Sequence, residues 1–346
     1  MEGHSRSGGR LGSRLVTAVL FTCAGQRVDV VSEFARAGAF TVAVDVDPLA
    51  PALYHAHRHA IVPRVEDEAY LPALAEIARD HDVRLIVPLN DLDHLPLASA
   101  GEILAPALVL LPAAEVVERV RDKYFAHGFF GEHGLASPPS WLPDEVPADA
   151  SYPLLVKARR GFGSRHIYRA DDPEQLAFFL RYTPVESFVQ QMCLGEEFSI
   201  DVFCDVGRRC LNAIPRTMIE SKGGESIKGM TVKDWDLIDH GRGVAEKLRL
   251  VGPANIQCFR EPDGTLPVTD VNPRFGGAFP LPRAAGSRYP ELALALAEGE
   301  RPEPRLGEFR EGIMMTRFFS QLVLAENGLG SLQPFAEELP EPVAEP

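Results

Sequence analysis

The segment Asp270-Val271-Asn272-Pro273-Arg274-Phe275-Gly276-Gly277 is the most specific pattern in this sequence. It overlaps the end of an apolar run, Leu266–Val271, which follows another apolar run, Ala254–Phe259. The turn between the two runs contains Asp263-Gly264, and Asp-Gly between apolar runs is typical of a β-hairpin. The pattern therefore predicts two paired strands that lead into a polar, glycine-bearing loop.

The predicted hairpin brings three oxygen-bearing side chains together. Gln257 and Asp270 are expected to face each other, and Asn272, two residues after Asp270, lies on the same face. Oxygen ligands suit Mg²⁺, which keeps several waters and shares substrate phosphates. Arg274 follows directly, where it can contact a transferring phosphoryl group. The pattern favours a metal and phosphate site over the alternative, a surface hairpin with its polar residues outside.

A glycine loop follows the predicted strand Leu154–Lys157. Gly161 and Gly163 let backbone N–H groups converge on an anion, Ser164 adds a hydroxyl group, and Lys157 adds a point charge. The pattern resembles a phosphate-binding loop, although in a P-loop the lysine follows the second glycine. An exposed hairpin turn with basic residues is the alternative interpretation.

A turn also separates the predicted strands Phe188–Gln191 and Glu197–Asp205. Backbone groups at this hinge can bind an adenine edge, and the carboxylate of Glu197 can accept hydrogen bonds from ribose hydroxyls. The candidate hinge residues are Gln190, Gln191, Met192 and Cys193. Taken alone, the same segment is simply two strands joined by a turn.

The first third of the chain alternates between short apolar runs and helical patterns. The runs Val16–Phe21, Phe40–Val44 and Val83–Pro88 predict buried strands, and helical patterns over 28–38 and 71–79 separate them. This alternation predicts a small doubly wound parallel α/β domain.

The remaining sequence predicts a different arrangement. The pattern over 116–131 predicts one long helix that carries Asp122-Lys123, and further helices are predicted over 173–182 and 241–250. Most other apolar runs follow one another without intervening helices, which indicates an α+β arrangement with antiparallel strands.

Taken in order, these patterns resemble the ATP-grasp superfamily of ATP-dependent carboxylate–amine ligases, over about residues 15–320. The segment 270–277 and Gln257 are similar to the carbamoyl phosphate synthetase-like members. The N-terminal domain resembles the pre-ATP-grasp domain of that group, which includes the pyrrolysine-biosynthesis ligase. The resemblance implies an α/β and α+β fold, with a doubly wound parallel pre-ATP-grasp domain followed by a two-part ATP-grasp fold.

The implied boundaries are a flexible N-terminus at 1–14, the pre-ATP-grasp domain at 15–115, a small subdomain at 116–192, a central and C-terminal subdomain at 193–328, and a flexible tail at 329–346.

The resemblance implies a role for each candidate residue. Lys123 and Lys157 would contact the nucleotide phosphates, with the loop Gly161–Ser164 closing over them. The hinge residues would bind adenine, largely through backbone groups, and Glu197 would bind the ribose. Gln257, Asp270 and Asn272 would hold one or two Mg²⁺ ions, with Mn²⁺ as an alternative.

The resemblance also implies groups at the reaction centre. Arg274 would contact the γ-phosphoryl group, and Arg216 lies where members place a basic residue near the reacting atoms. The segment Ser221–Ser226, which contains Lys222, resembles a mobile flap beside the substrate. Two positions depart from the pattern: Asp270 stands where most members have Glu, and Gln190 stands where many have an acid.

The activity implied is ATP-dependent amide formation through an acyl phosphate, with release of ADP and phosphate. The substrates would be a small carboxylate and an amine, with amino acids as candidates. Asn90, Asp91 and Asp93 follow a predicted strand at the sheet edge where ligands bind in α/β folds. Helix capping by Asp91 and Asp93 is an equally good interpretation. Alternative functions are a bicarbonate-dependent enzyme of the carboxylase or carbamoyl phosphate type, and a non-catalytic nucleotide-binding protein.

Composition excludes some classes of function. The chain has 346 residues and a net charge of −14, which disfavours nucleic-acid binding because neutralising phosphates requires a basic face. The five cysteines form no CxxC pair, and the apolar run Leu15–Cys23 is too short to span a bilayer. We therefore expect a cytoplasmic protein without membrane or nucleic-acid partners. A homodimer is an open alternative, since dimers are common in this superfamily.

Two weaker patterns in the sequence suggest other kinds of site. A strand, Gly25 and Asp45 imitate the start of a dinucleotide-binding fold, but the turn has one glycine instead of three. His55, His57 and His59 alternate in a way that could line a metal site, yet His81 and His94 show no ligand spacing. Neither pattern is preferred over the ligase interpretation.

Overall fold

The computed structural model describes residues 16–161, 166–222 and 225–324, without the side chains of Lys222 and Glu225. The helices within these ranges are α1 (Val28–Arg36), α2 (Tyr70–Asp80), α3 (His94–Ser99), α4 (Ala114–Arg121), α5 (Lys123–Glu132), α6 (Pro173–Tyr182), α7 (Trp235–Lys247), α8 (Pro280–Ala284) and α9 (Tyr289–Ala297). The strands are β1 (Ala18–Thr22), β2 (Phe40–Asp45), β3 (Arg58–Ile61), β4 (Val83–Pro88), β5 (Leu108–Val109), β6 (Ser140–Trp141), β7 (Leu154–Ala158), β8 (Ile167–Ala170), β9 (Ser187–Gln191), β10 (Glu196–Cys204), β11 (Cys210–Thr217), β12 (Glu220–Lys222), β13 (Glu225–Met230), β14 (Gly252–Arg260), β15 (Val268–Asn272) and β16 (Met314–Thr316).

The N-terminal sheet is parallel and has the strand order β3-β2-β1-β4-β5. Its central strand, β1, is apolar and buried on both faces. Val19 and Phe21 pack with α1 and α9, whereas Ala18 and Leu20 pack with α2, because successive side chains of a strand point to opposite faces. The predicted parallel α/β domain is confirmed, and its carboxyl edge holds the segment 90–93.

The second half forms antiparallel sheets, as predicted. One four-stranded sheet has the order β11-β10-β14-β15, and its core is covered by α4, α5 and α7. The strands β6-β9-β7-β8 form a second sheet with α6 on one face, and β12-β13-β16 form a third. The domain boundaries inferred from the resemblance stay predictions.

The single long helix predicted over 116–131 is wrong. The chain forms α4 and α5, separated by Asp122, whose backbone leaves the helical region at φ −94° and ψ 103°. The carboxylate of Asp122 accepts the N–H groups of Tyr124 and Phe125, at 3.2 and 3.3 Å, and so caps α5. The break places Lys123 in the first turn of a new helix, facing the cleft.

One other predicted helix has different bounds in the structure, and some helices were not predicted. The helix predicted over 241–250 begins earlier, at Trp235, where Asp234 caps its first turn. Helices α8 and α9 were not predicted. Pro280 and Pro290 occupy their first turns, where a missing N–H group costs no hydrogen bond.

The segment 270–277 is bound to the N-terminal domain. Arg27, at the start of α1, donates to the carbonyl oxygens of Phe275 at 2.9 Å and Gly276 at 3.1 Å. A second link joins Arg283 of α8 to Glu33 of α1, at 2.7 Å. These contacts hold the carboxyl edge of the parallel sheet beside the hairpin of β14 and β15.

None of the helices in the described ranges has the length and apolar composition needed to cross a bilayer.

Candidate active site

The hairpin of β14 and β15 has the predicted register. Gln257 pairs with Asp270, and Asn255 pairs with Asn272. All four side chains line one cavity, together with Lys123, Lys157, Arg216 and Arg274. The prediction that the side chains of Gln257, Asp270 and Asn272 lie close together is therefore confirmed.

Lys123 neutralises the only acid of this triplet. Its Nζ lies 2.6 Å from Oδ2 of Asp270, and Nδ2 of Asn272 donates to the same oxygen at 3.2 Å. Burial by itself would raise the pKa of Asp270, but the charge of Lys123 and its hydrogen bond outweigh burial and lower it. Asp270 is thus a carboxylate at neutral pH.

The triplet fits a divalent cation that is shared with phosphates. The carboxylate of Asp270 and the amide oxygens of Gln257 and Asn272 are hard ligands. The ammonium group of Lys123 already balances the charge of that carboxylate. The described residues contain no group of three or more His, Cys, Asp or Glu side chains suited to hold a metal. These donors therefore fit Mg²⁺ only when phosphate oxygens and waters complete its coordination.

The ammonium group of Lys157 is held by a network of hydrogen bonds between uncharged side chains. Its Nζ donates to Oε1 of Gln190 at 3.0 Å, while Nε2 of Gln190 lies 2.6 Å from Nε2 of His127 and 3.1 Å from Oγ of Ser140. Burial, followed by the charge of Lys123, lowers the pKa of Lys157 to about 8. Burial also lowers the pKa of His127 to about 4, so this imidazole is neutral and accepts from Gln190.

The predicted hinge lines a neighbouring cavity of about 250 Å³, which contains Gln190, Gln191, Met192, Cys193 and Glu197. Burial raises the pKa of Glu197, partly offset by Arg216 and Lys157. The side chain of Gln190 is buried and accepts a hydrogen bond from Lys157, the lysine that lines both this cavity and the central one.

The glycine loop is described only in part. Gly161 lies in the wall of the central cavity, whereas Gly163 and Ser164 are outside the described residues. Lys222 belongs to β12, and its side chain is likewise outside the description.

Arg216 is fixed by a buried ion pair. Its Nε donates to Oδ2 of Asp201 at 2.8 Å, and Nδ2 of Asn255 donates to Oδ1 of Asp201 at 3.0 Å. The side chains of Arg216 and Asp201 are 3% and 4% exposed. Gly276 packs against this pair so closely that a Cβ atom there would lie 2.5 Å from Oδ1 of Asp201.

Arg274 is held by the N-terminal domain. Its Nε lies 3.2 Å from Oδ1 of Asp91, which places Asp91 beside the central cavity. Asn90 makes a local turn instead, accepting the N–H of Leu92 at 3.2 Å.

Asp93 lies away from the cleft. It is fully buried and accepts a hydrogen bond from the hydroxyl of Tyr70 at 2.8 Å. Helix capping is wrong for this side chain, because Asp93 precedes α3 but makes no capping hydrogen bond. Burial raises its pKa to about 6.

Sequence reasoning missed Asp201, Asn255, His127 and Arg27. A signal existed for Asn255, which lies two residues before Gln257 and therefore shares its strand face. The other three gave no local signal, because their partners are distant in the chain.

The two weaker patterns have structural roles. Asp45 accepts the N–H of Gly25 at 2.8 Å, so the turn that imitates a dinucleotide site is closed by its own acid. Nδ1 of His57 is bound to Thr41, Nδ1 of His55 lies 3.0 Å from the carbonyl oxygen of Pro51, and His59 packs against Tyr54. The five cysteines are free thiols, and burial raises the pKa of Cys193 to about 12, which disfavours a nucleophilic role.

Two family models match the chain. "PylC-like, N-terminal domain" matches residues 19–105, and "ATP-grasp in the biosynthetic pathway with Ter operon" matches residues 184–318. A comparison with curated proteins gives no match.

Solved structures share the fold over most of the chain. The biotin carboxylase domain of 2-oxoglutarate carboxylase from Hydrogenobacter thermophilus is 15% identical, with 85% of this chain and 72% of that chain covered and a TM-score of 0.69. L-amino acid ligase from Bacillus licheniformis is 21% identical, with coverages of 85% and 77% and a TM-score of 0.68. N5-carboxyaminoimidazole ribonucleotide synthetase from Thermotoga maritima is 16% identical, with coverages of 84% and 78% and a TM-score of 0.64. The chain thus contains a PylC-like N-terminal domain and an ATP-grasp domain, whose antiparallel sheets surround a lysine-lined cleft.

Proposed function

We propose that this protein is an ATP- and Mg²⁺-dependent ligase that joins a small carboxylate to an amine through an acyl phosphate. The observation that carries the proposal is the hairpin triplet Gln257, Asp270 and Asn272, which shares one cavity with two lysines and two arginines. Such a cavity concentrates positive charge where a triphosphate and a carboxylate must approach each other.

The arrangement of the cavities supports a position for ATP. The hinge cavity and the central cavity share Lys157 and Gln257 in their walls. The adenine would bind at the hinge with the ribose near Glu197, and the phosphates would extend past Lys157 toward Lys123 and Asp270.

The residues would lower the barrier to phosphoryl transfer chiefly by position and charge. A substrate carboxylate oxygen forms a bond to the γ-phosphorus while the bond to the β,γ-bridging oxygen breaks, which releases ADP. Lys123, Lys157 and Arg274 would offset the repulsion between the two anions. A bound Mg²⁺ would supply further charge neutralisation at the phosphate oxygens.

Amide formation follows in the same cavity. The amine attacks the acyl carbon, and the cationic side chains of Arg216 and Arg274 would stabilise the resulting oxyanion. Water has to be excluded, because acyl phosphates hydrolyse; the β12–β13 hairpin, paired with β16, borders the cleft through Ser226. Amino acid substrates, a homodimer and a cytoplasmic location remain part of the proposal.

A bicarbonate-dependent activity is the second candidate. The structure of the Hydrogenobacter thermophilus biotin carboxylase domain, which shares this fold, contains bicarbonate and MgADP. Arg216 and Arg274 would suit bicarbonate as well as an organic carboxylate, since both present a planar anionic CO₂ group.

The test is a screen of ADP release with ATP, Mg²⁺ and pairs of amino acids, followed by mass spectrometry of the products. We expect ADP release that requires both partners and an amide formed in equal amount. ADP release that depends on bicarbonate alone would favour the second candidate. An absence of ADP release with every carboxylate and with bicarbonate would instead indicate a non-catalytic nucleotide-binding protein.

A further inference from the structure

A second cavity of about 250 Å³ opens on the far side of the central one. It lies between the 91–94 segment of the N-terminal domain, helix α4 and the end of β15. The two cavities share Lys123, Gly161, Asp270 and Asn272 in their walls. A molecule in this α4 cavity therefore reaches the predicted metal site from the side opposite the hinge.

The position of this cavity suits the second substrate of a ligation. The hinge cavity meets the central cavity at Lys157 and Gln257, whereas the α4 cavity meets it at Lys123 and Asp270. With the nucleotide entering from the hinge, the α4 cavity lies beyond the terminal phosphate, where the acyl phosphate would form.

Acceptor groups line the inner end of the α4 cavity. Asp91 contributes a carboxylate, which uses only part of its acceptor capacity on Arg274. His94 also belongs to the wall, is 3% exposed, and has no hydrogen-bond partner for its Nε2 among the described residues. Burial lowers the pKa of His94 to about 4, so the imidazole is neutral and can accept a hydrogen bond.

The middle and the mouth of the cavity differ from its inner end. Val117, Val120 and Pro273 supply an apolar wall, and Leu92 lies at the rim with 51% exposure. Arg121 and Arg160 also line the cavity and are exposed. An acceptor end, an apolar middle and a cationic mouth match a molecule with an ammonium group at one end and a carboxylate at the other.

We propose that the α4 cavity binds the attacking amine, and that this amine is itself an amino acid: its ammonium group is held by Asp91 and His94, and its carboxylate by Arg121. This inference rests on the proposed ligase function and names the class of its second substrate. The cavity holds about 250 Å³, which is room for a whole amino acid.

The reaction then balances as follows. The ammonium group loses one proton to water, and its nitrogen forms a bond to the acyl carbon. The bond between that carbon and the phosphate oxygen breaks, and phosphate leaves with the electron pair. It departs as HPO₄²⁻, carrying the second nitrogen proton, and the amide keeps the third.

The experiment compares two products of the same enzyme. Hydroxylamine traps acyl phosphates as hydroxamates and is too small to need an amino acid site, so it reports the first half-reaction. The full-length protein is given ATP, Mg²⁺, a panel of simple carboxylates and common L-amino acids as carboxylate donors, and either hydroxylamine or an L-amino acid as the amine. The variants are Arg121→Glu and Leu92→Trp, with Arg119→Glu as the matched control, because Arg119 is exposed on the same last turn of α4 but does not line the cavity.

We expect Arg121→Glu and Leu92→Trp to raise the KM for the amino acid amine at least about tenfold, equivalent to about 1.4 kcal/mol. The ratio of amide to hydroxamate should fall by the same factor, and Arg119→Glu should keep the wild-type KM. The inference is overturned if both cavity variants keep the wild-type amine KM, if Arg119→Glu raises it equally, or if only amines without a carboxylate react. An absence of hydroxamate from every carboxylate with the wild-type protein would instead overturn the ligase function itself.

Discussion

Replacing Gly276 by alanine should destabilise the protein through one buried ion pair. The added Cβ would lie 2.5 Å from Oδ1 of Asp201 and 3.4 Å from Asn255, in a place where both residues are buried. Asp201 cannot retreat freely, because it holds Arg216 at 2.8 Å and Asn255 at 3.0 Å. The methyl group must therefore displace the carboxylate or move the backbone.

The size of the effect follows from these two outcomes. Overpacking a buried site typically costs about 1–3 kcal/mol, and separating a buried ion pair costs about 3–5 kcal/mol. We expect Gly276→Ala to lower the free energy of unfolding by about 2–4 kcal/mol, between these limits. Turnover should fall as well, because Arg216 loses the partner that orients it.

Gly277 provides a matched control in the same loop. A Cβ at Gly277 would have no atom within 4 Å, so Gly277→Ala should change stability by less than about 0.5 kcal/mol. Urea unfolding of both variants and the wild type, followed by circular dichroism, measures the difference. Equal stability of the two variants would refute the reasoning, since only the close approach to Asp201 distinguishes them.

Three further changes probe the same molecule. Asp270→Asn removes the only carboxylate of the predicted metal ligands, so ADP release should be abolished while the circular dichroism spectrum still shows a folded protein; normal activity would mean that the site is misassigned. Gln190→Leu leaves the buried ammonium group of Lys157 without its acceptor, which should lower the pKa of Lys157 further below about 8. Calorimetry should then show a greater loss of ADP affinity at pH 8.5 than at pH 6.5, and an equal loss at both would contradict this. Burial raises the pKa of Asp93 from its ordinary value of 3.8 to about 6 in the folded protein. Between pH 3.8 and pH 6 the folded protein therefore binds more protons than the unfolded chain, and the free energy of unfolding falls as the pH rises. Relative to the wild type, Asp93→Asn should therefore gain about 2 kcal/mol between pH 4 and pH 7 in urea unfolding, and a constant difference would rule the effect out.

Local patterns were sufficient to predict the strand pairing of the hairpin and which of its side chains lie together. The alternation of side chains along a strand places Asp270 and Asn272 on one face, and the Asp263-Gly264 turn sets the pairing with Gln257. The parallel N-terminal domain was predictable for the same reason, because buried strands and amphipathic helices have periods that are visible over a few residues.

Helix boundaries near the site were less predictable. The apolar pattern over 116–131 continues across Asp122, and only the capping hydrogen bonds to Tyr124 and Phe125 reveal the break. Asp122 also pairs, at 2.8 Å, with Arg159, which lies just beyond the strand that carries Lys157. That contact joins two segments whose proximity is invisible in the local sequence.

The sequence alone identified the candidate ligands for phosphate and metal, because residue types and spacings are local properties. Tertiary structure alone decided their charge state and their partners. Arg274 pairs with Asp91, which lies 183 positions earlier in the chain. Lys123 of a helix pairs with Asp270 of a strand, and Lys157 donates a hydrogen bond to the neutral side chain of Gln190. Such pairs form only when the parallel domain packs against the antiparallel sheets. Burial where the two meet sets the strength of each interaction, and local sequence spacing carries no information about that burial.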